Sequence, residues 1–207
     1  MRYLDSIAVL DVEATGLDPM KGAILSVGMV AYSGRLSMFY KEYYPFEGAE
    51  ISEESMRIHD LELDRLKKGP ENDPRNVVAD IKSFMQANGC IMIAGQNPGF
   101  DRSYVNAYAE RYGSDFRLPF GMLDLHSFCL GRMLGNGIEP PKKDGHSALG
   151  LDKVLSFVGL GQRQGPHNAL DDAKLEFEAL CRLIYGKSVL PEFGNRPVPA
   201  ELTIAHR

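Results

Sequence analysis

Residues 6–13 read Ser-Ile-Ala-Val-Leu-Asp-Val-Glu, and the fold turns on them. The run from Ser6 to Leu10 is short, apolar and β-rich, which predicts a central buried strand. It ends in Asp11, with Glu13 two positions on. In extended chain, residues two apart point to the same face, so the two carboxylates project side by side. Like charges so placed repel unless a cation joins them, and hard oxygen ligands suit Mg²⁺ or Mn²⁺. Alone the pair is a weak signal, because any edge strand can carry Asp-x-Glu on a solvated surface. Its place at the end of the most apolar strand, just before a glycine-containing loop, gives it weight.

Working outward, residues 14–22 hold two glycines and Pro19 and read as a loop. Residues 23–32 and 36–44 are strand-like, with a hairpin turn at Ser33-Gly34. A capped short helix starts at Ser52, and residues 74–85 carry helical spacing that stops at Asn88-Gly89. Residues 90–94 form a second buried strand, 97–112 a helix, 120–123 a short strand and 125–134 a helix. Residues 135–147, rich in Gly, Pro and charge, are the candidate mobile loop. Lys142, Lys143 and His146 lie in it, with solvation their expected role. Helices over 149–158 and 168–185 follow. This order predicts an α/β fold, a mixed five-stranded sheet flanked by α-helices. One domain over residues 1–186 and an extended tail over 187–207 are expected.

The formal charge of −5 over 207 residues excludes a protein that coats nucleic acid by bulk electrostatics. It leaves room for a nuclease whose divalent cations supply positive charge locally. Cys90, Cys129 and Cys181 are far apart and unpaired in spacing, as expected of free thiols in a reducing compartment. No apolar run approaches the roughly 18 residues of a membrane span, and a cytoplasmic protein with no membrane partner is expected.

Two further acidic elements follow the strands. Asp101, in Gly95-Gln96-Asn97-Pro98-Gly99-Phe100-Asp101, falls in the first turn of a helix, where an acid also complements the helix dipole. In His167-Asn168-Ala169-Leu170-Asp171-Asp172, helical period separates the adjacent aspartates. Asp171, Lys174, Glu178 and Arg182 make a stripe expected to face solvent, whereas Asp172 heads the apolar stripe of Leu175, Ala179 and Leu183. Asp172 therefore turns inward, where an acid is costly unless a metal or hydrogen bonds hold it. Asn168 fits an N-cap with Asp171 at N3. His167, just before the helix, is a candidate base.

In this order the three elements resemble the motifs of the DEDDh (DnaQ-like) branch of the RNase H-like 3′–5′ exonucleases. DVEATGL is similar to D-x-E-x-T-G, NPGFD to N-x-x-F-D, and HNALDD to H-x-A-x-x-D. Gln96 stands where many relatives have His, and Ala14 where a second Thr is common. The resemblance implies an RNase H-like fold with catalytic Asp11, Glu13, Asp101, His167 and Asp172. It implies two Mg²⁺ ions, replaceable by Mn²⁺, with Asp11 bridging and His167 as general base. It also places Thr15, Gly16 and Leu17 at the terminal nucleotide, with Asn97, Phe100 and His59 near the strand.

The substrate class so implied is a single-stranded DNA 3′ end, with RNA 3′-end trimming as the alternative. A proofreading or repair subunit acting through protein contacts is the alternative from another class. A homodimer, or a polymerase or repair partner, is compatible with the family.

Overall fold

A computed structural model describes residues 4–59, 61–66 and 69–203. Its first strand, β1 (Ile7–Ala14), does not stop before the acidic pair but runs through it. The cause is its partner β2 (Ile24–Tyr32), which pairs antiparallel along it, setting Asp11 against Gly28 and Glu13 against Ser26. A bulge between Glu13 and Ala14 ends the regular ladder. β3 (Leu36–Glu42) adds antiparallel to β2 after a turn in which Gly34 takes φ 80°, a backbone state that glycine adopts without steric cost.

The chain then passes through α1 (Glu53–His59) and α2 (Val77–Ala87) to β4 (Met92–Gly95), which lies parallel to β1. Next come α3 (Pro98–Arg111), β5 (Met122–Asp124), parallel to β4, and α4 (Leu125–Gly135). The sheet order is β3-β2-β1-β4-β5, so the five-stranded mixed sheet stands as expected. Residues 135–147 carry a small exposed hairpin, β6 (Lys142–Lys143) and β7 (His146–Ser147). α5 (Leu151–Phe157) and α6 (Ala169–Tyr185) complete the helices.

Alternation along β1 divides the core. Ala8, Leu10, Val12 and Ala14 pack with Val77, Ile81, Tyr104 and Tyr108 of α2 and α3. Ile7 and Val9 pack on the other face with Ala173, Phe177 and Leu180 of α6. By parity Asp11 and Glu13 share that second face, so the acids lie on the side α6 covers.

The expected solvent stripe of α6 is corrected by the structure. Asp171 is exposed, but Glu178 and Arg182 are both 0% exposed and pair at 2.8 Å. Residues 187–203 cover them. Two 3₁₀ turns, Pro191–Phe193 and Ala200–Leu202, put Leu190, Phe193 and Leu202 into the α6 core. Glu178 accepts the N–H groups of Val189 and Leu190, while Arg182 donates to the carbonyls of Val158, Phe193 and Arg196. These carbonyls and amides solvate the buried pair in place of water. Periodicity cannot register a covering segment that arrives from elsewhere in the chain. The last part of the expected tail, residues 204–207, lies outside the described residues.

Among the described residues, no helix is long and apolar enough to cross a membrane.

Candidate active site

Gly28 brings the first and third acidic elements together. A Cβ on it would lie 2.1 Å from the carbonyl carbon and oxygen of Ala169, so the first turn of α6 rests directly on the β2 backbone opposite Asp11. Asn168 starts that turn as expected, its side chain accepting the N–H groups of Leu170 and Asp171. Asp172 follows on the buried side, 4% exposed, and faces the β1 acids.

Asp101 arrives by a different route. β4 ends at Gly95 while β1 continues, opening a notch at the carboxyl ends of the parallel strands. Asn97 reverses the chain in the left-handed region at φ 57°, its N–H held by Asp124 at 3.1 Å. Such a conformation in a residue other than glycine costs energy and is concentrated at functional sites. α3 then delivers Asp101, whose Oδ1 accepts the Val12 N–H at 3.0 Å where β4 no longer offers a partner.

Asp11, Glu13, Asp101, His167 and Asp172 thus line one cleft of about 310 Å³, with Asn97 and Phe100 at its wall. Two residues that motif reading missed are there as well. Glu176, one turn after Asp172, is 2% exposed and accepts the Gln96 N–H at 3.1 Å through Oε1. Arg163 donates to Asp172 at 3.0 Å and to Asp152 at 2.9 Å. Glu176 was legible in principle, since residues four apart share a helix face. Arg163 lies in the loop before α6, where no period speaks.

Burial and mutual repulsion raise the acids. Asp11 keeps one edge open, yet its Oδ2 is shut from solvent without a hydrogen-bond partner. Desolvation first, then the charges of Glu176, Asp101, Glu13 and Asp172, push its pKa well above the carboxylate range. Burial pushes Glu13 to about 8, with Asp172 and Asp101 adding to it. Burial lifts Asp101 to about 7 against the opposing Val12 N–H. Asp172 is raised by burial and held back by Arg163 and His167. His167 is lowered by burial and by Arg163, which keeps the imidazole neutral near pH 7. Its Nδ1 is 3.3 Å from the Arg163 guanidinium and 3.7 Å from Asp172 Oδ2. A guanidinium only donates, so this inward Nδ1 is the unprotonated nitrogen.

Acids crowded this way ask for cations. Ligand atoms of Glu13, His167 and Asp172 lie within 4.8 Å of one another, and Asp11 Oδ2 and Glu176 Oε2 are buried without partners. Hard oxygen donors with unmet charge fit a divalent ion.

The RNase_T exonuclease family model matches residues 8–180, which span all three acidic elements. The chain belongs to this family, in its DEDDh (DnaQ-like) branch. It is a metal-dependent 3′–5′ exonuclease. Ribonuclease T of Haemophilus influenzae (strain PittEE) is 29% identical over 204 residues, covering 91% of this chain and 82% of that protein. A PolC-type DNA polymerase III of Thermotoga maritima is 26% identical over 86% of this chain, but only 12% of that protein is matched. Exonuclease I of E. coli, solved with a dT13 oligonucleotide, superposes with a TM-score of 0.66 at 17% identity. That match covers 85% of this chain and 40% of exonuclease I, and it shows the RNase H-like fold.

The structure distributes the exonuclease's expected strand contacts unevenly. Thr15 is fully buried, and its hydroxyl is already engaged, donating to the Glu50 carbonyl at 2.6 Å and accepting the Ala23 N–H at 2.8 Å. The Gly16 carbonyl takes the Tyr104 hydroxyl at 2.7 Å. Leu17 is 84% exposed and lines a neighbouring cleft with Thr15 and Gly16. His59 is buried at the end of α1, its Nδ1 accepting the Leu61 N–H. The carbonyl beside it, of Ile58, receives the His167 N–H at 3.0 Å, so α1 ends against the loop that carries His167. Gln96, at the position where many relatives have His, donates its side-chain amide to the Leu149 carbonyl.

Proposed function

We propose that the exonuclease removes nucleoside 5′-monophosphates from single-stranded DNA or frayed 3′ ends, using two Mg²⁺ ions and His167 as general base. The observation that carries this reading is the cleft in which Asp11, Glu13, Asp101 and Asp172 stand around a half-buried neutral histidine. Asp11 and Glu13 with Asp172 would hold one ion, and Asp11 with Asp101 the other. When bound, the ions lower the pKa of attacking water and neutralise charge on the phosphate and departing 3′ oxygen.

The chain's own residues supply the rest. His167, neutral and lining the cleft with the acids, is placed to take the proton of the attacking water. Leu17 offers an exposed apolar face for the terminal base, and Phe100 and Asn97 border the path of the strand. Single strands are held by such platforms more than by a basic field, which agrees with the net charge of −5. The exonuclease domain would span residues 1–186, followed by a tail over residues 187–207 whose residues 187–203 pack on α6.

A second reading, RNA 3′-end trimming, is favoured by the extent of the similarity to ribonuclease T. The test is digestion of 3′-labelled DNA, RNA and dinucleotides in Mg²⁺ and in Mn²⁺. Asp172→Ala should abolish release of the terminal nucleotide. Undiminished activity in that purified variant would sink the assignment, and faster cleavage of RNA than DNA would choose the second reading.

A further inference from the structure

We propose that Glu176 is a further cation-holding carboxylate of this centre, binding through Oε2 and sharing with Asp11 the charge of a divalent ion. The proposal rests on the reading of the cleft as a metal centre and adds a residue that the three motifs do not contain. Glu176 follows Asp172 by four residues on α6, so the two acids are stacked on one helix face. Its two oxygens have different fates. Oε1 accepts the Gln96 N–H, a structural bond that aims the carboxylate. Oε2 is buried in the same cleft wall as Asp11 and has no hydrogen-bond partner. Asp11 Oδ2 is orphaned in the same way, and Glu176 is the strongest charge acting on Asp11.

Room for Oε2 is built into the strand opposite. A Cβ on Gly95 would come within 3.2 Å of it and within 3.1 Å of the Leu10 carbonyl. Glycine at the end of β4 therefore leaves space for the extra acid beside β1. A buried acid with one bonded and one unmet oxygen is costly to ionise unless a cation completes it.

Charge points the same way. The cleft holds five carboxylates, Asp11, Glu13, Asp101, Asp172 and Glu176, beside one guanidinium, Arg163, which is itself shared with Asp152. Fully ionised, these acids carry an excess of negative charge that cations would offset.

The experiment is titration of the metal-free protein with Mn²⁺, reading free Mn²⁺ by electron paramagnetic resonance, together with thermal unfolding in EDTA. Glu176→Gln keeps the oxygen that accepts the Gln96 N–H and removes only the charge. It should weaken Mn²⁺ binding by about tenfold or more, the size of effect that supporting groups have at metal sites. Its melting temperature in EDTA should equal or exceed that of the wild type, because the repulsion on Asp11 is gone. Asp171→Asn removes one exposed charge from the same helix and should leave the titration unchanged. Unchanged Mn²⁺ binding in Glu176→Gln would overturn the proposal, as would equal weakening in Asp171→Asn. Failure of the wild type to take up Mn²⁺ would remove the metal centre itself, and this inference with it.

Discussion

Replacing Gly28 by alanine isolates the contact that assembles the site. The new Cβ would meet the Ala169 carbonyl carbon and oxygen at 2.1 Å and the Leu170 nitrogen at 2.3 Å. All three are backbone atoms, so no rotamer change relieves the overlap. Bringing the shortest contact to 3.4 Å, the near edge of ordinary packing, requires α6 and β2 to part by about 1.3 Å. Forced overpacking of this kind costs ~1–3 kcal/mol. Asp172 moves with the helix away from Asp11, and a displacement near 1 Å at reacting groups costs ~100-fold in rate. Gly28 is not in the left-handed region, so alanine is conformationally allowed there and would otherwise stabilise by ~0.4–1 kcal/mol through the unfolded chain. The sign of the effect therefore reports the contact alone. Urea unfolding gives the stability, and single-turnover release of a 3′-labelled nucleotide in saturating Mg²⁺ gives the rate. Gly131→Ala, at an exposed position of α4 with nothing within 4 Å of its Cβ, is the control and should gain ~0.5–1 kcal/mol. A Gly28→Ala protein as stable and as fast as the wild type would refute the argument that this close approach positions Asp172.

Two other outcomes follow from buried charge. In EDTA, Glu13 and Asp101 hold protons in the folded state up to about 8 and about 7, but release them near their ordinary values when unfolded. Their contribution is full below the unfolded values and is lost as pH rises through the folded ones, so Tm should fall steadily from pH 5 to pH 8.5. A flat or rising Tm over that window would contradict the raised acids, and added Mg²⁺ should abolish the decline. Arg182→Met leaves Glu178 buried without its partner and should cost ~3–5 kcal/mol in urea unfolding. The specific activity of the folded fraction should be unchanged, because the pair holds residues 187–203 and lies apart from the cleft.

The sequence alone determined the chemistry's raw material. Apolar residues 6–10 specified a buried strand, and strand parity put Asp11 and Glu13 on one face, because period 2 is local backbone geometry. Helical period likewise chose Asp172 over Asp171, and the N-cap of α6 was legible at Asn168 because capping needs only neighbouring residues. Glu176 obeyed the same period, but the three motifs do not include it. Tertiary structure decided what depends on residues distant in sequence. The pairing of β2 carried β1 past Leu10, and the absent side chain of Gly28 set how closely α6 approaches. Residues 187–203 turned an expected solvent stripe into a buried ion pair. Thr15, expected at the substrate, spends its hydroxyl on Glu50 and Ala23. Arg163 reaches Asp172 across a loop without any period. Burial and charge depend on which surfaces meet, and only the closed chain brings those surfaces together.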